Sequence, residues 1–206
     1  MGVAWVFLSD QTIPEIKANL DQHGATEIGT YNVEMHQIVP NEKLKGTERN
    51  GMSTNYVIHH DEYPANSFIY QVSSKDSSKF NKVTSLRGID ALYTKYEDSV
   101  EYNPEGAMII SGKTYQLEDN IIRVGTASCR SSCCGTVIEL EVTPCFNLSG
   151  CYVFMKEVIA AVFPKEYPTI HKPRLFDSIG KEKYIPSYTM MQYMSIFDIL
   201  RSKVVV

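Results

Sequence analysis

An α+β fold is predicted: a largely antiparallel β-barrel of about eight strands, with helices packed on its outside. Three observations predict it. Most of the apolar periodicity is period two, and the strands it marks mostly follow one another directly, as in an antiparallel sheet. The 13 tyrosines and 8 phenylalanines among 206 residues favour strands over a helical bundle. Helical spacing is confined to four stretches, which suits helices laid on a sheet closed or nearly closed on itself. Residues 1–206 are enough for one domain with a real core, and the chain reads as a single domain.

The elements follow in order. Val3–Leu8 is an apolar run and reads as a buried first strand. Thr12-Ile13-Pro14-Glu15 is a capping box, with threonine at the cap and glutamate three residues on. Ile13, Ile16 and Leu20 then share one helical face, and Gly24 ends the helix. Thr26–Val39 alternates as a long strand, imperfectly enough to admit a bulge. Pro40–Gly51 is polar and charged, a loop. Ser53–His60 and Ser67–Val72 are strands, broken at Tyr63-Pro64 because proline has no N–H to give the ladder. Ser73–Asn81 is a second soft stretch.

Val83–Tyr96 reads as a helix, with Val83, Leu86, Ile89 and Tyr93 on one face. Met108–Ile110, Tyr115–Leu117, Ile121–Thr126 and Thr136–Thr143 read as a meander. Its turns fall at Ser111-Gly112, Asp119-Asn120 and Ser131–Gly135. Cys151–Phe163 is a helix stopped by Pro164, and Tyr167–Pro186 is a proline-punctuated connector. Thr189–Arg201 is an amphipathic helix with Met190, Tyr193, Met194, Phe197 and Leu200 on its core face. Met191 and Ile199 lie off that stripe and are the candidate partner-contact residues.

Composition excludes several classes of function. Net charge is −4, so no electrostatic footprint for direct nucleic-acid binding is expected. No apolar run approaches a membrane span. The start, MGVAWV, lacks the serine or threonine that myristoylation needs at the sixth position, where Val6 stands. Asn147-Leu148-Ser149 is a glycosylation sequon only in a secreted protein. Cys129, Cys133, Cys134, Cys145 and Cys151 cluster, but not at zinc-knuckle spacing, and read as small apolar residues.

Three motifs bear on chemistry. Ala107–Thr114, AMIISGKT, fits a loosened nucleotide-loop pattern, but β-forming residues surround it where a glycine-rich loop and a helix are needed. His59-His60-Asp61-Glu62 resembles a ligand cluster, but His59 and His60 point to opposite faces of a strand and read as strand-end polar groups. His23, His36 and His171 stand alone. Glu139 and Glu141 share one strand face, a pattern that can hold a divalent metal and a phosphate ester in tunnel-type triphosphatases. A metal-dependent phosphohydrolase is therefore the alternative reading. The preferred one puts Glu139 and Glu141 on the solvent face, with Ile138, Leu140 and Val142 inward. No catalytic residue, cofactor or metal ligand is then expected.

Two distant segments carry a family likeness: Tyr56–Tyr70, YVIHHDEYPANSFIY, and Thr189–Arg201, TMMQYMSIFDILR. With Ile122–Thr126, Val137–Val142 and Pro144-Cys145 between them, the ordered set resembles subunit 20 of the Mediator complex, which links activators to RNA polymerase II. The resemblance implies a non-enzymatic barrel subunit of the Mediator head module, in the nucleus. It implies pairing with subunit 18 and tethering through the C-terminal part of subunit 8. RNA polymerase II would be reached indirectly.

Overall fold

The first strand, β1 (Val3–Ser9), forms from the apolar run and is buried along nearly its whole length. In the computed structural model the described residues are 2–41, 53–72, 80–130, 132–143, 145–180 and 182–204. Most of Pro40–Gly51 and of Ser73–Asn81 lies outside them. Helix α1 (Ile13–Gln22) starts at the expected box: Thr12 donates its N–H at 2.9 Å and its hydroxyl at 2.8 Å to one Glu15 carboxylate oxygen. Then come β2 (Thr26–Pro40), β3 (Thr54–His60), β4 (Asn66–Val72), β5 (Phe80–Leu86) and α2 (Asp90–Lys95). The chain continues through β6 (Val100–Leu117), β7 (Asn120–Cys129), β8 (Ser132–Val142), α3 (Leu148–Val162), α4 (Arg174–Ile179) and α5 (Pro186–Val204).

The sheet corrects the expected barrel. Among the described residues its eight strands are ordered β1-β8-β7-β6-β2-β3-β4-β5, so β1 and β5 stand at opposite ends and the sheet is open. Closure would require a strand on the outer edge of β1. That edge is met by a helix instead: Gln192 of α5 accepts from the Val6 N–H and donates to the Ala4 carbonyl, both at 2.9 Å. With those backbone groups satisfied by a side chain, no strand pairs there among the described residues.

Two local expectations also change. The stretch Val83–Tyr96 is not one helix: Phe80–Leu86 is strand β5, paired antiparallel to β4, and only Asp90–Lys95 is helical. The i, i+3 spacing of Val83 and Leu86 is misleading, because both side chains are exposed. β-Branched Val83 and Thr84 and the waiting edge of β4 decide the outcome. Ser111-Gly112 is not a turn either, since β6 runs through it unbroken. The glycine serves a close approach: a Cβ at Gly112 would lie 2.0 Å from the Val124 carbonyl oxygen on β7.

The chain divides into two units. Unit 1 holds Met1–Tyr31, Ile110–Ser128 and Cys133–Val206; unit 2 holds Asn32–Ile109 and Cys129–Ser132. In unit 1, Trp5 and Phe7 of β1, Ile122 and Val124 of β7, and Ile138 and Leu140 of β8 form an apolar layer with α1, α3 and α4. Trp5 stacks on Tyr152 and meets Phe176 edge-on, at 5.6 and 5.5 Å between ring centres. The other face of the same strands lies under α5, so Val137–Val142 is buried at every position. In unit 2, β3 pairs with both β2 and β4, with Glu34 opposite His59 and Tyr56 opposite Tyr70. Asp61–Ala65 is the proline-bearing corner; the Tyr63 N–H donates to the His60 carbonyl at 2.8 Å.

Candidate functional site

Glu139 and Glu141, expected in solvent, are 2% and 3% exposed. The alternation places them on the face opposite Leu140, as expected, but that face is covered by α5 rather than by water. Arg123, on β7, donates through Nη1 to Glu139 Oε1 at 2.6 Å and to Glu141 Oε2 at 2.8 Å. The Tyr193 hydroxyl of α5 donates to Glu139 Oε2. The Gly2 N–H donates to Glu141 Oε1 at 2.6 Å. Gly2 is fixed in kind as well as place, since a Cβ there would lie 1.8 Å from the Val142 carbonyl oxygen.

The electrostatics follow from this packing. Burial opposes the Arg123 charge, but the Glu139 and Glu141 carboxylates outweigh it and hold the guanidinium above its ordinary pKa. Burial first, and the Glu139 charge second, raise the Tyr193 hydroxyl well above its ordinary value. Tyr31 is raised for the same two reasons. Both tyrosines therefore stay protonated at neutral pH. A phosphohydrolase of the tunnel type needs carboxylates open to a phosphate ester. Here the carboxylate oxygens face Arg123, Tyr193 and Gly2 inside a sealed layer. The cluster fastens β7, β8, α5 and the start of the chain to one another, and the phosphohydrolase alternative falls with its access.

Helix α5 completes the arrangement. Met190, Tyr193, Phe197 and Leu200 are buried as the stripe predicts, whereas Met194 is half-buried. Thr189, Gln192 and Ile196 are buried too, so the covered face is wider than an apolar stripe reveals. Gln192 and Thr189 are held by the Tyr184 hydroxyl, which also donates to the Ala4 carbonyl at 3.1 Å. Of the candidate contact residues, Ile199 is 46% exposed, and Met191 is half-buried against the apolar layer of unit 1.

Sequence reasoning missed two further features. One is a cavity of about 260 Å³ in unit 1, lined by Trp5, Tyr152 and Tyr167, with Lys156 and Lys172 at its rim. The lysines lie over the Tyr167 and Tyr152 rings at 5.9 and 5.2 Å. The other is in unit 2. His36, expected to stand alone, meets Glu34 and His59 in a group whose ligand atoms all lie within 4.8 Å of one another. His59 and His60 diverge as expected: His59 Nε2 bonds Ser67 Oγ at 3.0 Å, and His60 Nδ1 accepts the Glu62 N–H at 3.0 Å. The signal for the trio was the alternation Glu34, His36, but its third member came from another strand. None of the five cysteines is in a disulfide, and none joins a metal-ligating group among the described residues.

A family model described as the TATA-binding related factor of subunit 20 of the Mediator complex matches residues 1–198. The chain belongs to the Mediator subunit 20 family. Mediator of RNA polymerase II transcription subunit 20 from Caenorhabditis briggsae is 31% identical over 98% of this chain and all of its own length. The Homo sapiens and Xenopus laevis proteins of the same name are each 25% identical over 94% of this chain, and 87% and 88% of their own lengths. Among solved structures, a Pyrococcus horikoshii protein is similar at 14% identity and a TM-score of 0.46, over 79% of this chain and 90% of its own. A Hippeastrum protein with a dominant triphosphatase activity is similar at 11% identity and a TM-score of 0.46, over 91% of this chain and 99% of its own. Likenesses that distant carry no activity across to this chain. Membership of the Mediator subunit 20 family makes it a non-catalytic scaffold protein of the transcription machinery, and the sealed carboxylates agree with that role.

Proposed function

We propose that this chain is a nuclear assembly subunit of the Mediator head module, pairing with subunit 18 and tethered through the C-terminal part of subunit 8. It acts on RNA polymerase II indirectly, through that assembly. The observation that carries the proposal is the family match running from residue 1 to residue 198, which leaves no room for a separate catalytic domain within those residues. The chain works as one assembly domain. The outer face of α5 supplies the contact, with Ile199 presented to the partner and Met191 flanking it through its exposed portion. Methionine suits such a margin because its unbranched side chain adapts to varied surfaces.

The test is purification of the tagged full chain from nuclear extract, with partners identified by mass. Subunits 8 and 18 are expected together. Recovery of no Mediator subunit would sink the whole proposal. In parallel, Ile199→Asp places a charge at an exposed position, where the change in stability is expected within about 0.5 kcal/mol. It should abolish recovery of subunit 18 with the fold intact. If Ile199→Asp recovers subunit 18 as well as the parent does, α5 is not the contact.

A further inference from the structure

We propose that Glu34, His36 and His59 form a binding site for one divalent transition-metal ion of the zinc type. The placement follows from strand geometry. Glu34 and His36 are two residues apart on β2, so both side chains leave one face of the strand. Glu34 is directly opposite His59 in the antiparallel β2/β3 register, which brings His59 to the same face. The result is two imidazoles and a carboxylate, the donor set that borderline ions such as zinc prefer and calcium or magnesium do not.

The trio is held as metal ligands usually are, by partners behind them. Asn32 Nδ2 donates to Glu34 Oε1 at 2.7 Å, which leaves Oε2 turned to His36 Nε2 at 3.7 Å. Ser67 Oγ, on β4, lies 3.0 Å from His59 Nε2 and sets the plane of that ring. The Tyr102 ring meets His36 edge-on, its centre 6.0 Å away. His59 is 5% exposed and forms the floor, whereas the Glu34 and His36 side chains are each about a third exposed and form the mouth. Ligand atoms around a tetrahedral ion stand roughly 3.4 Å apart, from bond lengths of about 2.1 Å. The present spacing, at most 4.8 Å, closes onto an ion by rotation of the two partly exposed side chains. Three protein ligands leave the fourth position to water. The bound ion would clamp β2 to β3 within unit 2, a structural use consistent with a scaffold.

The full chain, stripped of metal, would be titrated with zinc chloride by calorimetry and with cobalt(II) chloride by absorption. One ion per chain is expected, with a cobalt spectrum free of the strong near-ultraviolet band of thiolate ligation. His36→Ala and Glu34→Gln, at partly exposed positions that leave the fold intact by circular dichroism, should each weaken zinc binding by about tenfold or more. Ser67→Ala should weaken it less. The double change Cys133→Ser and Cys134→Ser should leave it unchanged. No binding at equimolar metal, affinity equal to the parent's in His36→Ala and Glu34→Gln, or a thiolate band from cobalt would each overturn the proposal.

Discussion

Arg123 is the residue on which unit 1 turns. One guanidinium faces two buried carboxylates, with the Tyr193 hydroxyl and the Gly2 N–H as further donors to them. Removing the cation strands both carboxylates. Arg123→Met should therefore destabilise the fold by about 3–5 kcal/mol, read as a lower urea midpoint. Replacing Arg123, Glu139 and Glu141 together with apolar residues of similar size should restore most of that loss. If Arg123→Met is neutral, the cluster is not holding the layer together. The cysteines test packing at the same scale. Burial, aided by a hydrogen bond with Cys145, pushes the Cys151 thiol up to about 12, while Cys133 is exposed. At pH 8, iodoacetamide should modify Cys133 and spare Cys151, as peptide mass mapping would show; early modification of Cys151 would contradict the packing of α3.

Among the elements, α5 departs most from what an amphipathic pattern leads one to expect. Its apolar residues were legible because they recur at helical spacing. Gln192 was not, because a polar residue beside a stripe normally marks the solvent boundary. Its carboxamide instead continues the hydrogen-bonding pattern of β1, and that use depends on a strand 186 residues away in sequence. Gln192→Leu keeps the volume and removes the acceptor of the Val6 N–H, at a cost of about 1–3 kcal/mol, while the Ala4 carbonyl keeps the Tyr184 hydroxyl. Thermal unfolding would register the loss, and an unchanged midpoint would show that the edge needs no cap. The strands β5 and β6 were misread for a related reason. Val83 and Leu86 fit a helical period by accident, and Ser111-Gly112 looks like a turn until β7 is laid beside it. Pairing, which a single sequence does not display, chose the outcome in both cases.

For the molecule as a whole, the family was legible and the closure of the sheet was not. Short ordered motifs such as Glu62-Tyr63-Pro64 and Gln192-Tyr193-Met194 sufficed for the first. The second depended on what lies against the edge of β1, which no local pattern reports. The buried face of Glu139 and Glu141 escaped for the same reason, since alternation says which residues share a face but not what covers it. One bulk property follows from the buried hydroxyls. Tyr193 and Tyr31 hold their protons more tightly in the folded state than in the unfolded chain. Their contribution is complete below the ordinary tyrosine value of about 10 and is lost progressively above it. Unfolding free energy measured against pH should stay level through pH 9 as far as tyrosine is concerned and then fall. A stability that rose above pH 10 would contradict the burial of these residues.

The cap on β1 also bears on synthesis. The Val6 N–H is made 186 residues before Gln192, which receives it. At translation rates of about 5–20 residues per second, the nascent β1 waits roughly ten to forty seconds for that partner. Its pairing partner β8 is also far downstream, with Val3 set against Val142. Until β8 has been made, a mostly apolar strand has neither neighbour. Completion of unit 1 therefore waits until α5 has been made, and a chain halted before α5 would be a substrate for holdase chaperones rather than a stable fragment.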